Sequence, residues 1–264
     1  MKEIHNKQMT FNNHAGSVIV NTETAIDIKI NRKTLDQCFG PTVIVGTPGY
    51  SVNRVTRDYL RDCKKPSSAD LCDILVFCEP KNAHWYTNFI QTDSFFSKAT
   101  GYIYPSSHSG KWDDRVIELL QFHFDQHKQM FRHYVRNKAN DGEFHTLFIV
   151  MESFHSVKVR QSNVFQEIIQ HKRAWRTTLI LHEQHAGSLP PSLRACMNYI
   201  IIGKQRSKIN KNRAWDCYVG IVPTFKMFKD LHDKLTEEDD NWILVEQTCC
   251  STRIEDVVFW FKTK

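Results

Sequence analysis

A chain of 264 residues, 41% of them hydrophobic and 24% charged, is neither disordered nor fibrous, and it can bury a substantial core as one large domain or two small ones. A mean hydropathy of −0.46 and the lack of a long apolar run exclude a bilayer-spanning helix. Met1-Lys2-Glu3-Ile4-His5 opens no secretory signal, so an intracellular protein is expected. The formal charge of +6 favours a polyanionic partner such as nucleic acid.

In chain order, Ser17–Val20 and Ala25–Ile30 predict outer strands or an arm. Nearly continuous apolar runs follow at Thr42–Val45, Ile74–Phe77, Leu147–Met151, Thr178–Leu181, Tyr199–Ile202 and Trp242–Val245. Such runs are strands covered on both faces, the habit of a parallel sheet sandwiched by helices. Between them, Asn53–Cys63 predicts a helix with a polar face. Asp113–Lys138 carries Val116, Leu119, Leu120, Phe124, Phe131 and Tyr134 at helical spacing. On its other side Lys128, Arg132 and Arg136 recur every fourth residue, as either a solvated face or a phosphate-tracking surface. Thr224–Leu235 predicts a further helix, with Phe225, Phe228, Leu231 and Leu235 toward the core and Asp239-Asp240-Asn241 breaking the pattern. Val257–Phe261 predicts a last strand at the sheet edge. The whole is an α/β pattern, which places ligands at the carboxyl ends of strands.

The eight cysteines are spread without paired C-x-x-C spacing, so reduced structural thiols are expected and no zinc site. His182 and His185 stand three apart at a strand end, whereas the zinc-protease motif needs two histidines four apart on a helix.

The first apolar strand runs into Gly46-Thr47-Pro48-Gly49-Tyr50-Ser51-Val52-Asn53-Arg54 and then into a helix. Strand, glycine-bearing loop and helix together aim backbone N–H groups and the positive helix end at a phosphate. The pattern G-x-x-x-x-G-K-S/T is nevertheless not met, because Ser51, Val52 and Asn53 hold the places of the second glycine, the lysine and the hydroxyl residue. Two more apolar strands end in polar groups. Glu152 is placed to organise magnesium or polarise an attacking water, and Gln184 to orient that water or sense a γ-phosphate.

The run Leu179–Arg194, with His182-Glu183-Gln184 followed by Pro190-Pro191-Ser192-Leu193-Arg194 and then Met197–Ile202, resembles the poxvirus-type genome-packaging ATPases of large DNA viruses, a branch of the FtsK–HerA superfamily. Val219–Phe225 and Glu255–Lys262 extend the likeness, which covers about Thr42 to Lys262. The resemblance implies a RecA-like P-loop fold, a mainly parallel central sheet flanked by helices, with residues 1–40 as N-terminal strands or arm and 41–264 as the ATPase-like domain. It also implies an oligomeric ring that hydrolyses ATP with Mg2+ to drive double-stranded DNA into a capsid, in the viral factory or virion. Carried over by position, Gly46 to Arg54 form the nucleotide-binding loop and Glu152, Gln184 and Arg194 the catalytic set. Arg194 either reaches a neighbouring subunit's phosphate or caps the Pro190-Pro191 turn. Lys204, Arg206, Lys208, Lys211 and Arg213 form a basic segment that contacts DNA phosphates or is simply solvated.

The departures from that family point the other way. Val52 brings no charge to the β- and γ-phosphates, Asn53 offers a metal only an amide oxygen, and Arg54 is turned about 100° away on the helix. One carboxylate, Glu152, stands where the family has two adjacent acids. The expectation is a pseudo-ATPase or a greatly weakened enzyme; the alternative is a noncatalytic assembly or DNA-binding scaffold that keeps the motor fold.

Overall fold

The computed structural model describes residues 17–21, 27–33, 40–46, 50–63, 72–97, 99–106, 111–136, 146–152 and 156–263. Strands β1 (Ser17–Asn21) and β2 (Asp27–Arg32) precede β3 (Thr42–Val45) and helix α1 (Tyr50–Cys63). Next come β4 (Cys72–Cys78), α2 (Pro80–Thr92), β5 (Ala99–Pro105), α3 (Trp112–Arg136) and β6 (Thr146–Glu152). The short α4 (Val157–Gln161) and α5 (Asn163–His171) lead to β7 (Thr177–Glu183), α6 (Pro191–Arg194) and β8 (Tyr199–Ile202). The chain closes with α7 (Lys208–Tyr218), α8 (Phe225–Leu235), β9 (Asn241–Glu246), α9 (Ile254–Val257) and β10 (Val258–Lys262).

All ten strands join one sheet in the order β1-β2-β10-β9-β8-β3-β7-β6-β4-β5. From β8 to β5 every pairing is parallel; β9 pairs antiparallel with both β8 and β10. Each of the six apolar runs is a strand, for the reason the sequence supplies: both faces are covered. Ile44, Ile74, Val76, Phe148, Val150, Ile180 and Ile201 pack toward α1 and α2, through Val55, Tyr59, Leu60, Tyr86 and Ile90. Val43, Val45, Leu75, Ile149, Met151, Leu179 and Leu181 pack toward α3, α5 and α8, through Leu120, Phe124, Phe165, Ile168 and Phe228.

Local chemistry sets several boundaries. Thr224 starts α8 by accepting the Met227 N–H at 3.2 Å, and Ser162 starts α5 by accepting that of Phe165 at 3.4 Å. Helix α1 begins at Tyr50, earlier than the expected Asn53, so Val52 and Asn53 lie inside its first turn.

One expectation needs correction. The last strand, β10, starts one residue later than the expected Val257–Phe261 run and is not at the sheet edge, because β2 pairs with it through Phe259↔Asn31 and Trp260↔Arg32 and β1 lies outside β2. In the basic stripe of α3, Lys128 bonds Glu167 at 3.0 Å and Asp125 at 2.9 Å, Arg132 lies 5.1 Å over the Trp175 ring, and Arg132 and Arg136 are exposed. No helix among the described residues is long and apolar enough to cross a membrane.

Candidate functional site

The parallel register brings the expected site residues to one edge. Strands β3, β7 and β6 are neighbours, with Val45 opposite Glu183 and His182 opposite Glu152. The Gly46 N–H donates to the Glu183 carbonyl at 3.0 Å, which carries the alignment one residue past β3. Gly46, Glu152 and Gln184 therefore lie at the carboxyl ends of three adjacent strands, where an α/β sheet places ligands. Strand β7 ends at Glu183, one residue short of the expected end, and Gln184 opens the following bend half-buried. Thr47, Pro48 and Gly49 lie outside the described residues; Tyr50 to Arg54 form the start of α1.

Val52 is 4% exposed and belongs to the core on the α1 side. Its Cγ2 lies 3.2 Å from where a Cβ on Gly46 would stand, and the Trp242 indole lies 3.3 Å from that same point. Trp242 also covers Gly203, whose imagined Cβ would meet the indole at 2.5 Å. Both glycines thus leave room for one ring that closes over the ends of β3 and β8. The side chain standing in the lysine's place is packed inward against this ring. Asn53 is buried as well, and Arg54 donates to Asp240 at 2.7 Å.

Glu152 is the centre of a buried polar network. Its Oε2 accepts from Asn82 Nδ2 at 2.8 Å and from the Glu79 N–H at 3.2 Å, and its Oε1 accepts from the Tyr86 hydroxyl at 2.9 Å. His182 Nδ1 stands 3.6 Å from Oε1, and its Nε2 pairs at 2.7 Å with the Thr56 hydroxyl, which donates to the Val52 carbonyl at 3.0 Å. Burial pushes the Glu152 carboxyl up, but His182, Asn82 and Tyr86 outweigh it and hold the group below its ordinary value. Burial, with the Glu152 charge beside it, raises the Tyr86 phenol well above its usual range and the Cys78 thiol to about 12. A carboxylate has about four lone-pair sites; three hydrogen bonds occupy three of them here, and His182 stands at ion-pair distance from Oε1. With Asn53 buried and both oxygens of Glu152 already accepting hydrogen bonds from the protein, these residues do not fit a magnesium ion.

Glu183 faces the opposite side of the sheet. It is 2% exposed, and burial lifts its carboxyl to about 7 against the opposing pull of Ser188 and Arg160. Arg194 Nη1 donates to Cys217 Sγ at 2.7 Å and lies 6.0 Å over the Tyr218 ring, so its side chain is engaged with α7 within the chain. In the basic segment Lys204 bonds Asp239 at 3.0 Å and Lys211 pairs with Asp233, whereas Arg206, Lys208 and Arg213 are exposed.

The fold is similar to that of solved viral packaging and secretion ATPases. B204, the DNA-packaging ATPase from Sulfolobus turreted icosahedral virus, superimposes with a TM-score of 0.56 at 13% identity, over 88% of this chain and 100% of that one. The genome-packaging NTPase B204 of Sulfolobus turreted icosahedral virus 2, solved with ATP-gammaS, gives 0.53 at 12% identity, covering 85% and 97%. The cytoplasmic domain of the Thermomonospora curvata type VII secretion ATPase EccC gives 0.54 at 14% identity, over 96% of this chain and 29% of that one. In sequence, an uncharacterized protein of Acanthamoeba polyphaga mimivirus, L437, is 29% identical over 118 residues, 44% of this chain and 41% of its own length. Uncharacterized protein 088R of invertebrate iridescent virus 3 is 23% identical over 117 residues, 44% of each. The match thus spans under half the length of these curated relatives. No family model matches the chain.

The sequence reasoning found Glu152 but not its partners. Asn82 and Tyr86 stand four apart on α2, and His182 shares a strand face with Ile180, so a search for polar residues on otherwise apolar faces would have found all three. Trp242 carried no such signal, since its role depends on two distant glycines.

Proposed function

We propose that this chain is a viral DNA-packaging ATPase-like protein in which ATP hydrolysis is impaired or lost, a pseudo-ATPase that keeps the motor fold. Its core would be residues 41–264 with the first 40 as an arm. It would work in a homo- or hetero-oligomeric ring with double-stranded DNA and capsid proteins, in the viral factory or virion. One observation carries the reading: the position that holds the phosphate-binding lysine in the resembled family is Val52, packed inward against Gly46 and Trp242.

Phosphoryl transfer depends on positioning and charge stabilisation. Losing one preorganised donor typically costs a hundred- to a thousandfold in rate. Glu152, held by three hydrogen bonds with His182 beside it, compounds that loss. The first turn of α1 keeps backbone N–H groups that no intrahelical carbonyl accepts, so nucleotide affinity is expected to outlast turnover. Gln184 remains the proposed sensor, and Arg194 a group that would reach a neighbouring subunit only after leaving Cys217.

The test is calorimetric titration with a nonhydrolysable ATP analogue, with and without magnesium, beside a steady-state phosphate-release assay. Affinity without turnover is the expected result. Brisk turnover abolished by Glu152→Gln would overturn the impairment. The alternative, a noncatalytic scaffold, draws on the three protein hydrogen bonds that hold Glu152, and absence of any nucleotide affinity would favour it.

A further inference from the structure

Helices α1 and α2 pack on the same face of the sheet and leave between them a cleft of about 440 Å³, lined by Arg57 and Arg61 from α1 and by Lys81, His84, Trp85 and Asn88 from α2. Asp93 closes its far end. The spacing explains the alignment. Residues 57 and 61 are one turn apart on α1, while 81, 84, 85 and 88 form one stripe of α2, opposite the Asn82 and Tyr86 side that holds Glu152.

Each cation is steadied by a carboxylate: Arg57 by Asp58 at 2.9 Å, Arg61 Nε by Asp93 at 2.6 Å, and Lys81 by Glu79. The Asp58 and Asp93 side chains are only 7% and 8% exposed, whereas those of Arg57 and Arg61 are 22% and 38% exposed. Asp58 does not line the cleft, whereas Asp93 shares its wall with the two guanidiniums. The planar fork of a guanidinium matches a phosphate in shape and charge. Trp85 lines the same cleft, half-buried and held by Phe89 stacked at 5.4 Å and Tyr86 edge-on at 4.9 Å. A steadied aromatic ring beside a row of oriented cations is the pairing that binds nucleotides through base stacking and phosphate contact. The stripe from Lys81 to Asn88 spans about 10 Å of helix, and the cleft volume suits a small ligand or a short stretch of chain.

We propose that the α1–α2 cleft is a second nucleotide-unit site, separate from the Gly46 loop, in which a base stacks on Trp85 and a phosphate meets Arg57, Arg61 and Lys81. This does not rest on the ATPase reading. The unit is supplied by a single-stranded nucleic acid or by a free nucleotide, and the experiment separates these sources.

The full-length chain is titrated against a fluorescein-labelled twelve-residue oligothymidylate, by anisotropy at several salt concentrations, with AMP and polyglutamate as competitors. Trp85→Leu is expected to weaken oligonucleotide binding roughly tenfold, and Trp85→Phe to retain most of it. Lys81→Gln, at an exposed position that folding tolerates, is expected to weaken binding and to lower the log–log salt slope by less than one contact, because a phosphate must first displace Glu79. Competition by AMP at micromolar concentration identifies a mononucleotide site, and competition by oligonucleotide alone identifies a strand site; either supports the proposal. No binding, binding unchanged by both Trp85→Leu and Lys81→Gln, or equal competition by polyglutamate would overturn it.

Discussion

Val52 shows how a single side chain decides between two chemistries. A lysine there must reach outward to phosphate, but this side chain points into the core, 3.2 Å from the imagined Cβ of Gly46 and against Trp242. Restoring the family residue by Val52→Lys would bury an ammonium with no partner, at a cost of about 3–5 kcal/mol. Urea unfolding should show the loss as a lowered midpoint, with no gain in phosphate release; a stable, hydrolysing Val52→Lys protein would refute the packing argument. The two buried acids make a second prediction, with opposite signs. Glu152 is held below its ordinary value, so its contribution is present above the usual carboxylate range and is lost as the pH falls through its lowered value. Glu183, lifted by burial from 4.5 to about 7, keeps a proton that the unfolded chain has released, so its contribution is full below 4.5 and is lost as pH rises through 7. That loss is on the order of 3 kcal/mol. Glu183→Gln stays neutral, and the fall in stability between pH 5 and pH 8 should flatten in unfolding curves measured across that range. An unchanged slope would mean that Glu183 ionises normally.

The strands β8 and β9 carry an element-scale lesson in the same region. Gly203 follows β8, and a Cβ there would lie 2.5 Å from Trp242 at the start of β9. Gly203→Ala should cost about 1–3 kcal/mol through overpacking, and Trp242→Leu in the same chain should recover part of it. A double-mutant cycle measures that coupling; simple additivity would show that the indole yields without strain. Elements of this kind explain how much the sequence disclosed. The six apolar strands and the long α3 were legible because burial on both faces, or on one stripe, writes a period that needs no partner to be read. Strand β5 was not. Its alternation is blurred by Gly101 and by an exposed outer side, so only its pairing with β4 makes it a strand. The gathering of Gly46, Glu152 and Gln184 was legible from order alone, since apolar runs that end in polar groups meet wherever the strands are parallel neighbours. The partners of Glu152 and the ring of Trp242 were not, because they come from α2 and β9, whose placement depends on the sheet order.

At the scale of the whole molecule, charge is distributed so that much of the basic excess is already in use. The net charge of +6 suggests a polyanion-binding surface, yet Lys128 pairs with Glu167, Arg54 with Asp240, Lys204 with Asp239 and Lys211 with Asp233. Within the expected DNA segment this leaves Arg206, Lys208 and Arg213 as exposed cations that form no such ion pair among the described residues. If duplex DNA is bound through this segment, its affinity should therefore follow those three rather than all five. A phosphate contact releases counterions whatever the base sequence, and its removal lowers the log–log salt slope by about 0.9 for B-DNA. Neutralising Arg206, Lys208 and Arg213 to Gln should reduce the slope for a random duplex by roughly two to three. Neutralising Lys204 and Lys211 should do less, since each phosphate contact must first displace a carboxylate. The comparison is read from anisotropy titrations at several salt concentrations with the same duplex. Equal effects from both sets would mean that the internal pairs open freely in the presence of DNA, and no effect from either would remove this segment from the DNA-binding surface.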